Sequence, residues 1–336
     1  MPNYLSQLRA GMPNRFLAAL AVALAFVVFL TVDQMHWWRT KEDYHFGWLV
    51  PAFIIFLMVE RWPMLREIFG ADGPSPLALW ERRLFSILAG LGMAAGIVLF
   101  LFGAIYRAGL GVSQPSSFAL AAGFAGILLG MIYFNVPEGR LDGGFPTGGL
   151  GALAADARLR ATALFLFPAL IWMLSAPLVS AVESGISLFL LRKVVTVVFT
   201  LFSALGYPLV QEGNVLVLPH GTVGVAEACS GIRSLIACLF AGSFLAAASL
   251  DRLWKKVLLV AAALVLAFIT NLLRSLFLTA WAYAYGSDAI EGRLHDGTGF
   301  AVLGLTCLGL FALLPLFRKD NWLKWLGLVR PPFRSR

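Results

Sequence analysis

The chain has 336 residues, of which 60% are hydrophobic and only 13% are charged, and its mean hydropathy is +0.82. These values exclude an ordinary soluble domain and indicate an integral membrane protein. The formal net charge of +8 does not indicate a nucleic-acid-binding protein, because the basic residues lie between apolar runs rather than on one helix face or arm.

Eight apolar runs approach or exceed the roughly 20 residues that a helix needs to cross a bilayer. We therefore predict an all-α polytopic membrane protein with about eight transmembrane helices, forming a single membrane-embedded domain over residues 1–336. The predicted spans are residues 16–32, 47–60, 84–106, 118–136, 161–182, 232–249, 257–279 and 299–317.

The positions of lysine and arginine predict the orientation of these spans. Most of them fall at the two termini and in the predicted loops 61–83, 137–160 and 250–256. Because positively charged loops resist translocation, these segments are predicted to be cytoplasmic. Both termini are then inside, and the alternate loops face outward.

The segment between the fifth and sixth spans is predicted to lie on the outer side. Residues 186–207 are apolar enough to cross, but Arg192 and Lys193 would then lie near mid-bilayer at roughly +2.5 kcal/mol or more each. A further crossing would also move the basic loop 250–256 outward. We therefore predict an interfacial or re-entrant helix, followed at residues 213–225 by two short β segments that form a small hairpin.

The three cysteines predict neither a metal site nor a disulfide framework, because Cys229, Cys238 and Cys307 have no CxxC or other ligand spacing. Cys238 and Cys307 lie within apolar runs, where packing is the ordinary role. Cys229 differs, because it stands where the outer loop enters the sixth span. No metal or other cofactor is expected.

Two further polar residues are predicted at the depth of Cys229. Arg274 lies 17 residues beyond Val257, roughly 26 Å along the seventh span and therefore near the outer surface. His295 lies in the last outer loop, just before the eighth span. Thiol, guanidinium and imidazole are thus expected to meet at the outer boundary of the membrane.

These three groups together are suited to acyl transfer. A histidine that accepts the thiol proton, or a cation that stabilises the thiolate, makes cysteine a strong nucleophile. His295 would act as base and then acid, whereas Arg274 can only stabilise negative charge. Structural interpretations stay open for each residue: a packed cysteine, a solvated histidine, and arginines, including Arg233, that extend to the interface.

Several short motifs accompany these residues. Glu-Ala-Cys-Ser-Gly-Ile-Arg occupies residues 227–233, Asn-Leu-Leu-Arg occupies 271–274, and His295 follows in the same order. Gly-Asn-Val and Leu-Pro lie upstream within 213–219, and Asp-Tyr-His-Phe-Gly occupies 43–47. In these motifs the chain resembles the exosortase/archaeosortase family of membrane-embedded cysteine transpeptidases, more loosely at 43–47 than at the others.

The resemblance covers residues from about 40 to 330 and implies a catalytic core at 205–300. Within 43–47 the order departs from the family pattern, since Phe46 separates His45 from Gly47. The resemblance implies two sets of site residues, catalytic and substrate-binding. The catalytic set is Cys229, Arg274 and His295, and the substrate-binding set is Arg233, Asn271, Glu227 and Ser230.

The implied substrates are exported proteins with a C-terminal signal made of a Pro-Glu-Pro-like motif, a transmembrane helix and a basic tail. The enzyme would cut at the motif through a thioester and pass the acyl group onward, often in bacteria that make exopolysaccharide. The implied location is the bacterial inner membrane, with the active site facing the periplasm. Besides these proteins the expected partners are membrane lipids, and no nucleic acid is expected.

Other functions stay open at this point. In a transporter, Arg274 and the outer histidines would line a polar path. In a structural subunit of a polysaccharide assembly machine, the hairpin would dock a partner; both alternatives make Cys229 dispensable. In a third alternative the thioester still forms, but water attacks it, so that the substrate is hydrolysed rather than transferred. If the family function holds, the hairpin is expected to pair with the substrate motif, while Arg233 or Arg293 meets its glutamate.

Overall fold

The computed structural model describes residues 12–141, 150–219, 221–224, 231–250, 252–290 and 292–318. These residues are mostly helical, and nine of their helical segments are long and apolar enough to cross a membrane. The all-α polytopic membrane fold is therefore confirmed, with one candidate span more than the eight predicted. The chain divides into two compact units, Met1–Val179 and Ser180–Arg336.

The N-terminal unit is a set of packed helices. A 3-10 helix, Glu42–Leu49, joins its first two long helices. The α-helices are α1 (Asn14–Thr40), α2 (Val50–Phe69), α3 (Leu79–Leu110), α4 (Gln114–Asn135), α5 (Leu150–Ala155) and α6 (Ala157–Leu174).

Small residues let the backbones of α3 and α4 approach closely. A Cβ built on Gly96 would lie only 2.7 Å from the carbonyl oxygen of Gly123. Close approach through glycine is the usual way in which membrane helices gain van der Waals contact, because lipid provides no hydrophobic driving force between them.

Several buried polar groups of the N-terminal unit pair with one another. The carboxylate of Asp33, 1% exposed, forms an ion pair with Arg107. Ser175 donates a hydrogen bond of 2.6 Å to the side-chain oxygen of Gln34, and its carbonyl accepts one of 3.0 Å from the indole of Trp38. Such pairing is what makes charged and polar groups tolerable in an apolar interior.

The C-terminal unit combines helices with a small sheet. A 3-10 helix, Ser287–Ile290, precedes its last helix. The elements are α7 (Ser180–Ala204), β1 (Val210–Glu212), β2 (Val215–Leu218), β3 (Gly221–Gly224), α8 (Ile232–Ser249), α9 (Leu253–Tyr285) and α10 (Arg293–Arg318).

The sheet is antiparallel, in the order β1-β2-β3, and it packs on the helices through one apolar cluster. Leu216 and Leu218 of β2 point into this cluster, where they meet Leu278 and Ala282 of α9 and a buried stripe of α7. That stripe is Leu191, Val194, Val195, Val198 and Phe202. The cluster fixes the sheet against the C-terminal part of α9.

The structure changes the prediction for this region in two respects. The sheet has three strands rather than the two of the predicted hairpin, because Val210–Glu212 pairs with β2. Residues 186–204 belong to α7, which is long and apolar enough to count as a ninth candidate span. None of residues 180–190 is buried, and only the C-terminal half of α7 packs in the cluster. The interfacial placement of this helix stays a prediction.

Candidate active site

The N-terminus of α8 is fixed by a contact with α9. Gly231, which precedes the helix, has φ +69° and ψ −1°. A Cβ built there would lie 2.6 Å from Nδ2 of Asn271, whose side chain is buried. Only glycine fits this left-handed position without strain or collision. The predicted span 232–249 agrees with the helix, but its contact with Asn271 depends on tertiary packing.

Arg274 lies one turn after Asn271 on α9 and contacts His295 directly. Its Nη2 is 3.1 Å from Nε2 of His295 and donates a second hydrogen bond, of 3.0 Å, to the backbone carbonyl of His295. Both side chains are half-buried. The structure thus brings together two of the three predicted catalytic residues.

Thr298 also holds the guanidinium of Arg274 in place. Its hydroxyl accepts a hydrogen bond of 3.2 Å from Nε of Arg274 and donates one of 2.8 Å to the carbonyl of His295. Sequence reasoning missed Thr298 because it placed His295 in a loop. The structure places His295 in the first turn of α10, and Thr298 then follows one turn later on the same helix face.

The contact with Arg274 determines the tautomer of His295. A guanidinium has five donors and no acceptor, so Nε2 of His295 must accept the hydrogen bond. The imidazole is therefore neutral, with its proton on Nδ1. In this arrangement the basic lone pair of His295 is already occupied by Arg274.

The charge around His295 is mainly positive. The cationic groups of Arg274 and Arg233 and the carboxylate of Asp296 all act on the imidazole. Arg233 lies in the first turn of α8, and His295 in that of α10. Helix N-termini carry positive partial charge, which adds to that of the arginines. The region is suited to hold an anion such as a thiolate, an oxyanion or a carboxylate.

The predicted site residues are thus partly assembled. Arg233, Asn271, Arg274 and His295 all lie in the C-terminal unit. Arg274 contacts His295 directly, and the charge of Arg233 acts on the same imidazole. The predicted residues Glu227, Cys229 and Ser230 lie outside the residues that the structure describes.

The motif at 43–47 belongs to the N-terminal unit and packs there. The hydroxyl of Tyr44, a fully buried residue, accepts a hydrogen bond of 2.9 Å from the amide of Leu178. Gly47 lies directly against the ring of Trp38, so any larger residue would collide with it. His45 is exposed. These contacts give the motif a structural role in that unit.

No group of three or more His, Cys, Asp or Glu side chains able to hold a metal occurs within the described ranges.

Comparison with known proteins identifies the family. The family model described as transmembrane exosortase matches residues 37–312, which include Arg233, Asn271, Arg274 and His295. No curated protein matches the chain. No solved structure matches it either. Because the matched segment covers most of this multi-pass chain, the protein belongs to the transmembrane exosortase family, whose members are protein-sorting transpeptidases.

Proposed function

We propose that this protein is a cysteine transpeptidase that cleaves the C-terminal tripartite signal of exported proteins, with Cys229 as nucleophile. The observation that carries the proposal is the contact between Arg274 and His295, next to the packing of Asn271 against Gly231. Two of the groups that cysteine acyl transfer requires are therefore in mutual contact, one helical turn along α9 from the residue that packs against Gly231.

Chain geometry supports a thiol within reach of this pair. Cys229 precedes Gly231 by two residues, so their Cα atoms are at most about 7.6 Å apart in any trans conformation. Gly231 touches Asn271, and Arg274 is one helical turn away from Asn271. The guanidinium is long enough to approach a cysteine in this position.

The proposed reaction begins with a movement of Arg274. When Nη2 leaves Nε2 of His295 for the sulfur, it frees the imidazole lone pair to accept the thiol proton. The same movement brings a positive charge to the new thiolate. One displacement therefore activates both groups, and Thr298 retains the Nε end of the guanidinium while Nη2 shifts.

The thiolate then attacks the carbonyl carbon of the scissile peptide in the sorting motif. Arg274 donates hydrogen bonds to the oxyanion of the tetrahedral intermediate, whereas Arg233 adds only positive charge to the region. Collapse breaks the C–N bond, the leaving amine takes the proton from His295, and a thioester to Cys229 is formed. An acceptor nucleophile next attacks the thioester, transfers its proton to His295, and releases the thiolate.

The predicted topology fits such a substrate. A protein that is anchored with its basic tail in the cytoplasm presents its motif at the periplasmic face of the inner membrane. Arg233 and Arg293, each at the start of a helix, are proposed to bind the glutamate of that motif. The exposed edge strand β1 is proposed to pair with the extended motif.

The test is co-expression with a tagged reporter that ends in a motif, a transmembrane helix and a basic tail. We expect the native protein to shorten the reporter, and Cys229→Ala to abolish the change in electrophoretic mobility. The matched controls Cys238→Ala and Cys307→Ala remove free cysteines of α8 and α10 and should process the reporter normally. Normal processing by Cys229→Ala would overturn the proposal and favour a role without cysteine chemistry.

A further inference from the structure

The N-terminal unit contains an elongated apolar cavity of about 750 Å³ between α1, α2, α4 and α6. Its walls are mostly aliphatic and aromatic, from Leu20 and Val27 of α1 to Phe165 of α6. Along α2 the lining extends from Pro51 to Arg66, which corresponds to roughly 22 Å of helix. The cavity is therefore longer than the roughly 15 Å of one bilayer leaflet.

Two tryptophans of this wall have unused hydrogen-bond donors. The indole Nε1 atoms of Trp62 and Trp172 are buried, and neither has a hydrogen-bond partner among the residues that the structure describes. Trp172 is only 1% exposed. Buried N–H groups are rarely left unsatisfied, because an unmade hydrogen bond is costly in an apolar medium. Their presence points to an occupant with hydrogen-bond acceptors.

A basic residue at one end of the cavity indicates which chemical group the occupant carries there. Arg66 lines the cavity one turn after Trp62 on α2, and its side chain is exposed. By the distribution of basic loops, this end is predicted to face the cytoplasm. A basic residue beside an apolar cleft at that face is suited to a lipid phosphate.

The cavity is suited to one extended hydrocarbon chain, because it is long and lined mostly by apolar side chains. The volume lies in the range that small ligands occupy.

We propose that this cavity is a binding site for an anionic phospholipid of the cytoplasmic leaflet. One acyl chain fills the cavity, the phosphate meets Arg66, and ester oxygens or phosphate oxygens accept hydrogen bonds from the indoles. This proposal does not depend on the chemistry assigned to Cys229, because it concerns residues of the N-terminal unit only.

The test uses the full chain purified in detergent, with phosphatidylglycerol and phosphatidylcholine of identical acyl chains as probes. Native mass spectrometry measures how many lipid molecules are bound. The rise in the unfolding midpoint measures how much the bound lipid stabilises the folded protein. We expect one retained phosphatidylglycerol and a preference of about tenfold or more over phosphatidylcholine. Arg66→Gln should remove this preference, whereas Arg83→Gln, an exposed arginine that does not line the cavity, should preserve it.

The indoles and the cavity volume are tested separately. Trp62→Phe and Trp172→Phe should each weaken binding by about two- to tenfold, the effect of one lost hydrogen bond. Trp80→Phe, an exposed control, should not. Ala169→Phe should fill the cavity and abolish binding of both lipids. Equal affinity for the two lipids, or unchanged binding in the arginine and indole variants, would overturn the proposal even if Ala169→Phe fails to fold.

Discussion

At the scale of single residues, the site depends on how Arg274 is held. Its guanidinium donates in three directions, to the ring and carbonyl of His295 and to the hydroxyl of Thr298. A planar guanidinium can make these bonds together, whereas an ammonium is a single point charge on a flexible stem. The shape of the side chain therefore matters as well as its charge.

Arg274→Lys should therefore lower the rate of reporter processing by about 10²- to 10³-fold, the usual loss when an oxyanion-stabilising donor is removed. Arg233→Lys is the matched control, because Arg233 contributes charge at the start of α8 and should lose less than tenfold. Initial rates with equal amounts of membrane-inserted protein measure both effects. Equal losses in the two variants would contradict the special role of Arg274.

Thr298 is expected to be a positioning residue. Thr298→Val removes both hydrogen bonds at nearly constant volume and should lower kcat about tenfold with little change in KM, while Thr298→Ser restores the rate. Thr306→Val is the control. Thr306 of α10 forms a hydrogen bond with Thr270 of α9, away from Arg274, so this variant should leave kcat unchanged. Failure of serine to rescue the rate would argue against this role.

At the scale of elements, the start of α8 is important because it follows Cys229 by only three residues in the sequence. The apolar run predicted α8 at the correct residues, because the length and composition of such a run are a local signal. The contact between Gly231 and Asn271 has no local signal. It exists only because α8 and α9 pack together at this point.

Gly231→Ala should destabilise the protein more than Gly292→Ala. Both glycines have φ above +60°, so alanine costs about 1–2 kcal/mol at either position. Only at Gly231 would the new methyl also collide with a buried side chain, that of Asn271; nothing lies within 4 Å at Gly292. Thermal unfolding of the purified variants measures the difference, and equal shifts in Tm would rule out the collision.

The helix α7 illustrates what sequence could and could not predict. Its period of apolar residues indicates a helix, and Arg192 and Lys193 are exposed, as expected for charges that avoid a packed face. Its partners are distant in the chain, in β2, β3 and α9, so no local pattern identified them. The third strand was missed because Val210–Glu212 is only three residues long, too short to show an alternating pattern of its own.

At the scale of the whole molecule, composition and apolar runs predicted the class of fold, and the inferred topology predicted that Arg274 and His295 lie at one depth. The contact of Arg274 with His295 could be anticipated because both were expected near one membrane surface. Their hydrogen-bond pattern and the role of Thr298 could not, because these depend on how α10 begins relative to α9. The apolar cavity of the N-terminal unit had no sequence signature, since its lining residues come from four helices.

The predicted topology can be tested on single-cysteine variants made in a chain without its native cysteines. Cysteine at Glu212, in β1, should react with an impermeant maleimide in intact cells from which the outer membrane has been stripped. Cysteine at Arg252, just before α9, should react only after the inner membrane is permeabilised. The reverse pattern would place the site on the cytoplasmic side and contradict the proposed location.

The most direct test of the central claim is to trap the covalent intermediate. The purified protein is mixed with signal-bearing substrate in the absence of acceptor, and its intact mass and peptides are then measured. The account predicts an added mass equal to the acyl fragment of the substrate, attached to Cys229, removed by hydroxylamine and strongly reduced in Arg274→Ala. Cleavage of the substrate without such an adduct, or an adduct on Cys238 or Cys307 instead, would contradict it.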